Sequence, residues 1–241
     1  MSPRAAAAGG GRPARSADER LLDAFAARAA HALGAGVSIT AGYVALLRER
    51  AAVELGPQAR SALVGADGGI DRLRVFVDDL LELAALDPTP MNRGPLRADA
   101  PARAAAEGLE GPIADARVTV EIGALPDIVA DPDLLERMFH HILRGALAAI
   151  AAGPGRIEIS GVRRSAGARI EIADSGPPLD QHAAAALFEP FSTPRGAGPI
   201  AGAGVSMAIA RRIADRHGGS VWAHTGRRDG CTIVVLLPER A

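Results

Sequence analysis

Lysine is missing altogether: the 27 basic residues of this 241-residue chain are all arginine. That absence points to a coding bias, not to a function. Aromatic residues make up only 3% of the chain, and much of its 48% hydrophobic content is alanine. A single cysteine, Cys231, excludes an internal disulfide framework and fits a reducing compartment. Neither sign of charge is in excess: the net value of -1 gives no general attraction to nucleic acid or to an anionic membrane. No apolar run reaches the roughly 18 residues a membrane span needs. The N-terminus also lacks the short apolar core of a signal peptide. The expectation is a cytoplasmic protein with no membrane insertion and no nucleic-acid partner. The length suits one large domain or two small ones.

Residues 1–15 are Ala, Gly, Pro and Arg without an apolar period, the composition of a disordered tail. Ser16 or Asp18 then supplies a helix cap. Apolar and small residues follow at Leu22, Phe25, Ala29, Ala32, Gly36, Ile39, Tyr43 and Leu46, the alternating three-and-four spacing of a coiled-coil-like seam. Leu55-Gly56-Pro57 ends that helix. A second helix, strongest from Ile70 to Leu86, carries Ile70, Leu73, Val77, Leu80 and Ala84 on one stripe, widened by Phe76 and Leu83. Pro88-Thr89-Pro90 breaks it. A hairpin of two such helices cannot hide both apolar faces alone. The expected solution is a homodimer forming a four-helix bundle over residues 16–90.

From Leu96 the pattern becomes mixed. Arg97–Gly108 reads as a helix, Val118–Ile122 as a strand, and Asp131-Pro132 as the start of a long apolar helix. Arg156–Ser160 and Arg169–Ala173 alternate with period two around a Ser165-Ala166-Gly167 turn. Ser206–His217 reads as a helix, and Ser220–Ala223 and Cys231–Leu237 as two final strands. Residues 96–241 therefore read as an α/β sandwich, with a mixed sheet on one side and helices on the other. The fold class is α+β.

The informative stretch lies in this second part. The strand Ile170–Ala173 ends in Asp174-Ser175-Gly176; Phe188-Glu189-Pro190-Phe191 follows, then the glycine loop of Gly202 and Gly204, and a helix that closes on His217-Gly218-Gly219. Strand, acidic turn, glycine loop and helix in that order suit a nucleotide pocket, because helix and loop N–H groups bind phosphate. The stretch resembles the ATP-binding domain of sensor histidine kinases, a fold shared with gyrase and mismatch-repair ATPases. The segment from Phe25 to Leu47 resembles the phosphoacceptor helix of the same family, with Phe25 six residues before His31 and Gly42-Tyr43 eleven and twelve after it.

The resemblance implies roles. His31 stands at the phosphoacceptor position. Asp174 matches the carboxylate that accepts a hydrogen bond from the adenine amino group, and Gly176 lets the backbone pass close to the base. Gly202 and Gly204 match two lid glycines, and Ser206 stands where a third would be. Arg195 is placed to reach phosphate oxygens. The two Phe residues pack the base of the lid, and His217 caps a helix end and complements its dipole.

The chain also departs from the family pattern. The acidic residue expected directly after the phosphoacceptor is Ala32, the Thr or Asn four residues on is Ala35, and the Pro five residues on is Gly36. Pro178 replaces a second glycine of the adenine turn. On the helix after Pro132, the first family Asn is His141 and the second, which carries magnesium, is Gly145. Glycine offers no ligand, and histidine suits magnesium poorly. Adjacent His140 and His141 do not chelate as an i, i+4 pair does. No metal ligand is expected. The cofactor expected is ATP or ADP, weakly held and with little use of magnesium. The resemblance implies two-component signalling: a pseudokinase or histidine phosphotransfer homodimer acting on a response-regulator receiver domain. An active cytoplasmic autokinase and a non-catalytic scaffold are the alternatives.

Overall fold

A computed structural model of the chain describes residues 33–49, 56–86, 90–150, 153–191, 205–224 and 230–239. The expected tail and the seam residues Leu22, Phe25, Ala29 and Ala32 lie outside them, as does His31. Helix α1 covers 33–49 and helix α2 covers Pro57–Ala85. Gly56, extended at φ -63° and ψ 164°, caps α2, and Pro57 takes its first position, where no backbone N–H is needed. The Gly-Pro pair therefore starts this helix; the end of α1 that it is expected to mark lies outside the described residues.

The two helices run antiparallel. The beginning of α1 meets the second half of α2, where a Cβ on Gly34 would lie 3.4 Å from the Val77 side chain. The end of α1 meets the first half, where Arg48 Nη1 lies 2.9 Å from Asp67 Oδ2. Val44 and Ile70 are buried, whereas Ile39, Tyr43 and Leu46 remain 63%, 66% and 48% exposed in the single chain. Leu73, placed on the buried stripe by its spacing, is exposed, and Leu80 and Leu86 join the core of the α/β part.

That part begins with strand β1 (Gly94–Arg97), followed by helices α3 (Asp99–Glu107) and α4 (Glu110–Asp115), strands β2 (Val118–Ile122) and β3 (Asp127–Ala130), and helix α5 (Pro132–Ile150). Strands β4 (Gly155–Arg164) and β5 (Gly167–Asp174) form a hairpin. Helices α6 (Gln181–Ala186) and α7 (Ser206–Arg216) precede β6 (Ser220–His224) and β7 (Cys231–Leu237). The expected helix from Arg97 is thus corrected: Gly94–Arg97 pairs antiparallel with Asp127–Ala130, and the helix starts only at Asp99. The Pro95 ring and the four-residue length give β1 no alternation to read.

The main sheet has the order β2-β4-β5-β7-β6, with β2 and β4 parallel and the other pairs antiparallel. Alternation fixes its faces. Ile157 and Ile159 of β4 and Ile170 and Ile172 of β5 are fully buried and share the core with Phe139, Ile142 and Leu143 of α5 and Ile209 and Ile213 of α7. Cys231 is a small buried core residue at the start of β7, and Trp222 lies in β6 under the Arg169 guanidinium at 5.7 Å. Period two puts Asp174 on the same buried row as Ile170 and Ile172, at the end of the strand next to α5.

Two histidine and aspartate contacts fix how α5 and α7 sit. Asp131 caps α5, its Oδ1 accepting from the N–H groups of Asp133 and Leu134 at 3.1 Å each. The Asp131 N–H donates to His217 Nε2 at 3.1 Å, and His217 Nδ1 lies 2.8 Å from the Ile213 carbonyl. Those partners require a neutral ring with the proton on Nδ1. Burial accordingly pushes the His217 pKa down. His217 does end the helix, as expected, but as a neutral strut to α5 and not as a charge on the helix dipole.

Candidate nucleotide site

The acidic turn is built at the end of β5. Asp174 is 4% exposed, and its Oδ1 accepts from the Gly176 N–H at 2.9 Å. Ser175 is clamped to β4: its N–H donates to the Arg156 carbonyl at 3.0 Å, and its hydroxyl accepts from the Arg156 N–H at 2.9 Å. At Gly176 a Cβ would meet Asp174 Oδ1 at 2.9 Å and the Ala149 carbonyl at 3.2 Å, so the turn packs directly on α5. Gly230, at φ +81°, presses the start of β7 onto the same turn; a Cβ there would lie 1.8 Å from the Asp174 carbonyl oxygen. This carboxylate stands where the resemblance places the acceptor for the adenine amino group.

Across from the turn, α5 meets α7. Gly145 faces Met207 so closely that a Cβ would fall 2.7 Å from the Met207 Sδ-bound methyl. The position from which the resemblance would aim a magnesium ligand is therefore filled by a thioether side chain. The chain's only asparagine is Asn92, far from α5 in sequence. His141 is 2% exposed and turned toward α2: its Nε2 lies 3.1 Å from Glu82 Oε1. Neither α5 position supplies the oxygen donor that magnesium prefers, and the donor set does not fit that ion.

Sequence reasoning missed what α2 brings to this place. Asp79, 5% exposed, accepts from Ser206 Oγ at 3.2 Å and forms a short contact with Arg144 Nη2. The same Arg144 nitrogen reaches Ser206 Oγ and lies 3.3 Å from His141 Nδ1. Glu82 accepts from Arg137 Nε at 2.8 Å. Burial opposes its ionisation, but the His141 and Arg137 partners outweigh burial and hold the Glu82 pKa at about 2. Burial, with a smaller contribution from the neighbouring His141 and Arg144, pushes the His140 pKa down. Asp79, Glu82 and His141 bring one ligand atom each to within 4.8 Å of one another, but Arg137 and Arg144 already hold the two carboxylates. The spacing of Asp79 and Glu82 along one helix face was the available signal; the partner face, some 60 residues on, carried none.

Phe188 is buried, as the lid-base expectation has it. Phe191 departs from it: it is 65% exposed at φ +66° and makes an edge contact with Phe76 of α2, ring centres 6.4 Å apart. Ser206 begins α7 beside the acidic cluster. Arg195, Gly202 and Gly204 lie outside the described residues.

Residues 130–241 match the family of histidine kinase-, DNA gyrase B-, and HSP90-like ATPases. The sensory histidine kinase/phosphatase NtrB of Klebsiella oxytoca is 32% identical over 108 residues, 41% of this chain and 30% of that protein. The C4-dicarboxylate transport sensor protein DctS of Rhodobacter capsulatus is 32% identical over 120 residues, 48% of this chain and 18% of that protein. The chain spans less than a third of the length of these relatives. Among solved structures, the histidine kinase ThkA in complex with response regulator protein TrrA superposes with a TM-score of 0.66 at 21% identity, covering 92% of this chain and 64% of that one. Full-length ShkA in complex with AMPPNP gives 0.63 at 22% identity over 91% of this chain and 47% of that one. Residues 130–241 therefore carry the ATPase domain of this family, on the fold that the solved histidine kinases share. Among the described residues, no helix is long and apolar enough to cross a membrane.

Proposed function

We propose that the chain is a histidine-kinase-family pseudokinase or phosphotransfer protein that holds adenine nucleotide weakly and acts on a response-regulator receiver domain. The observation that carries the reading is Gly145 closed by Met207. Phosphoryl transfer depends on metal and positioning to neutralise charge on the transferred group. Each roughly 1.4 kcal/mol of lost stabilisation slows the step about tenfold. Ala32, in place of a carboxylate that would take the acceptor proton, adds a second loss, on the order of a hundredfold or more. Both act on one transition state, so they need not add. Asp174 and the Gly176 turn support retention of the base; the AMPPNP complex of ShkA is a relative's instance of nucleotide binding.

The dimer belongs to the same proposal. Ile39, Tyr43 and Leu46 recur on one face of α1 and stay exposed in the single chain, and a second copy of the hairpin covers them. The domain limits proposed are 16–90 for this bundle and 96–241 for the ATPase-like part.

The test is transfer of label from a phosphorylated receiver domain. Label is expected on His31 and is lost in His31→Ala. Label at another histidine in that variant overturns the phosphotransfer role. Binding of the receiver without labelling, retained in His31→Ala, favours the scaffold.

A further inference from the structure

We propose that Arg144 and Ser206 form an oxyanion site for the phosphates of an adenine nucleotide, independent of divalent metal, in which the Asp79 carboxylate is a competing internal ligand. The proposal rests on the nucleotide reading above and adds to it the residues and the competitor.

Two donors from two elements converge. Arg144 Nη2 and Ser206 Oγ both bond Asp79 Oδ2, while His141 Nδ1, 3.3 Å from the same guanidinium nitrogen, is on the acceptor side, since a guanidinium only donates. The anion they hold is nine-tenths buried, and it comes from a different helix, α2. Arg144 adjoins Gly145 in sequence, and Ser206 adjoins Met207, the pair that closes the metal position. Arg144 and Ser206 thus flank the pair that occupies the position where the resemblance expects the metal ligand. A guanidinium binds phosphate in two-point fashion without a metal ion, and the first turn of α7 adds its dipole. In place of a bridging cation, this chain carries fixed positive charge.

Glu82 strengthens the internal ligand. It is bonded to Arg137 and lies 3.1 Å from His141, one turn along α2 from Asp79. Phe76 against Phe191 flanks the contact on the lid side. Nucleotide phosphate and the Asp79 carboxylate cannot share the same donors. If the carboxylate occupies them nine-tenths of the time, the apparent nucleotide affinity falls about tenfold. By linkage, bound nucleotide weakens the hold of the ATPase-like part on α2 by the same factor. Nucleotide occupancy is thereby coupled to the helical hairpin with no phosphoryl transfer.

The experiment measures binding of ATP, adenosine and inorganic tripolyphosphate, with divalent cations chelated, to the full chain and to Asp79→Asn, Arg144→Gln and Arg144→Lys. Circular dichroism and thermal unfolding confirm that each variant is folded. Asp79→Asn is expected to tighten ATP and tripolyphosphate about tenfold and to leave adenosine unchanged. Arg144→Gln is expected to reduce ATP to the affinity of adenosine and to abolish tripolyphosphate binding, with partial rescue by Arg144→Lys. ATP affinity unchanged in Asp79→Asn and Arg144→Gln overturns the site while leaving nucleotide binding intact. Tripolyphosphate binding that depends on Arg144, with no binding of ATP or adenosine, upholds the oxyanion site but overturns the nucleotide reading. No binding by any variant overturns both.

Discussion

Gly145 of α5 and Met207 of α7 share one space: a Cβ on the glycine would lie 2.7 Å from the methionine's terminal methyl. The neighbour is the end of a flexible side chain, so the space can be reopened. Gly145→Ala is expected to change stability by no more than about 1 kcal/mol, because gained helix propensity offsets the displaced methyl. Gly230→Ala is expected to cost several times more, since backbone atoms block its Cβ and φ is +81°. Urea unfolding of the two variants checks the contrast; equal losses would contradict it.

The same pair governs any attempt to restore a metal ligand. Ala32→Glu with Gly145→Asn is expected to raise autophosphorylation only modestly, because Met207 crowds the new amide. Adding Met207→Ala should raise it further. A triple variant no better than the double would show that Met207 does not close the position.

Dimerisation gives a third prediction. Light scattering should show a dimer at micromolar concentration, and Ile39→Asp should dissociate it, because an unpaired carboxylate in an apolar seam costs roughly several kcal/mol. Leu80→Asp should instead unfold the chain's own core, where Leu80 is 8% exposed among residues of the ATPase-like part. A folded monomer in the unmodified protein would contradict the bundle.

The acid limb of stability carries two signatures. His217 has a folded pKa below its unfolded 6.5, so the unfolded chain takes up its proton first as pH falls. Its stabilising contribution is full above pH 6.5 and is lost below it, toward the lowered folded value. Glu82 contributes above about 4.5 and loses that contribution as pH falls toward 2. Urea midpoints should fall from pH 7.5 to 5.5, and His217→Gln should flatten that step while lowering the midpoint at pH 7.5. An unchanged slope would contradict the neutral strut.

What was legible in the sequence was periodic or local. Ile170 and Ile172 alternate up to Asp174, and Asp131-Pro132 opens α5; each appears where its pattern placed it. The pairing of Gly94–Arg97 with Asp127–Ala130 was not legible, because a four-residue strand with a proline shows no period and its partner lies 30 to 36 residues away. Leu73 and Leu80 belong to one stripe by spacing, yet only Leu80 is covered, since cover depends on which element docks there. The contacts of Asp79 with Arg144 and Ser206 span 65 and 127 residues, and no helix period encodes them. Departures from the family pattern at Gly145 and His141 were visible as substitutions. Their physical consequence, a methionine in one place and an α2 carboxylate against the other, required the packed structure.

Incubation of the unmodified protein with radiolabelled ATP, with and without magnesium, tests the proposed loss of metal-assisted autophosphorylation most directly. The expected result is negligible label that magnesium does not increase. Robust magnesium-dependent label on His31 would contradict the account and establish an active histidine autokinase.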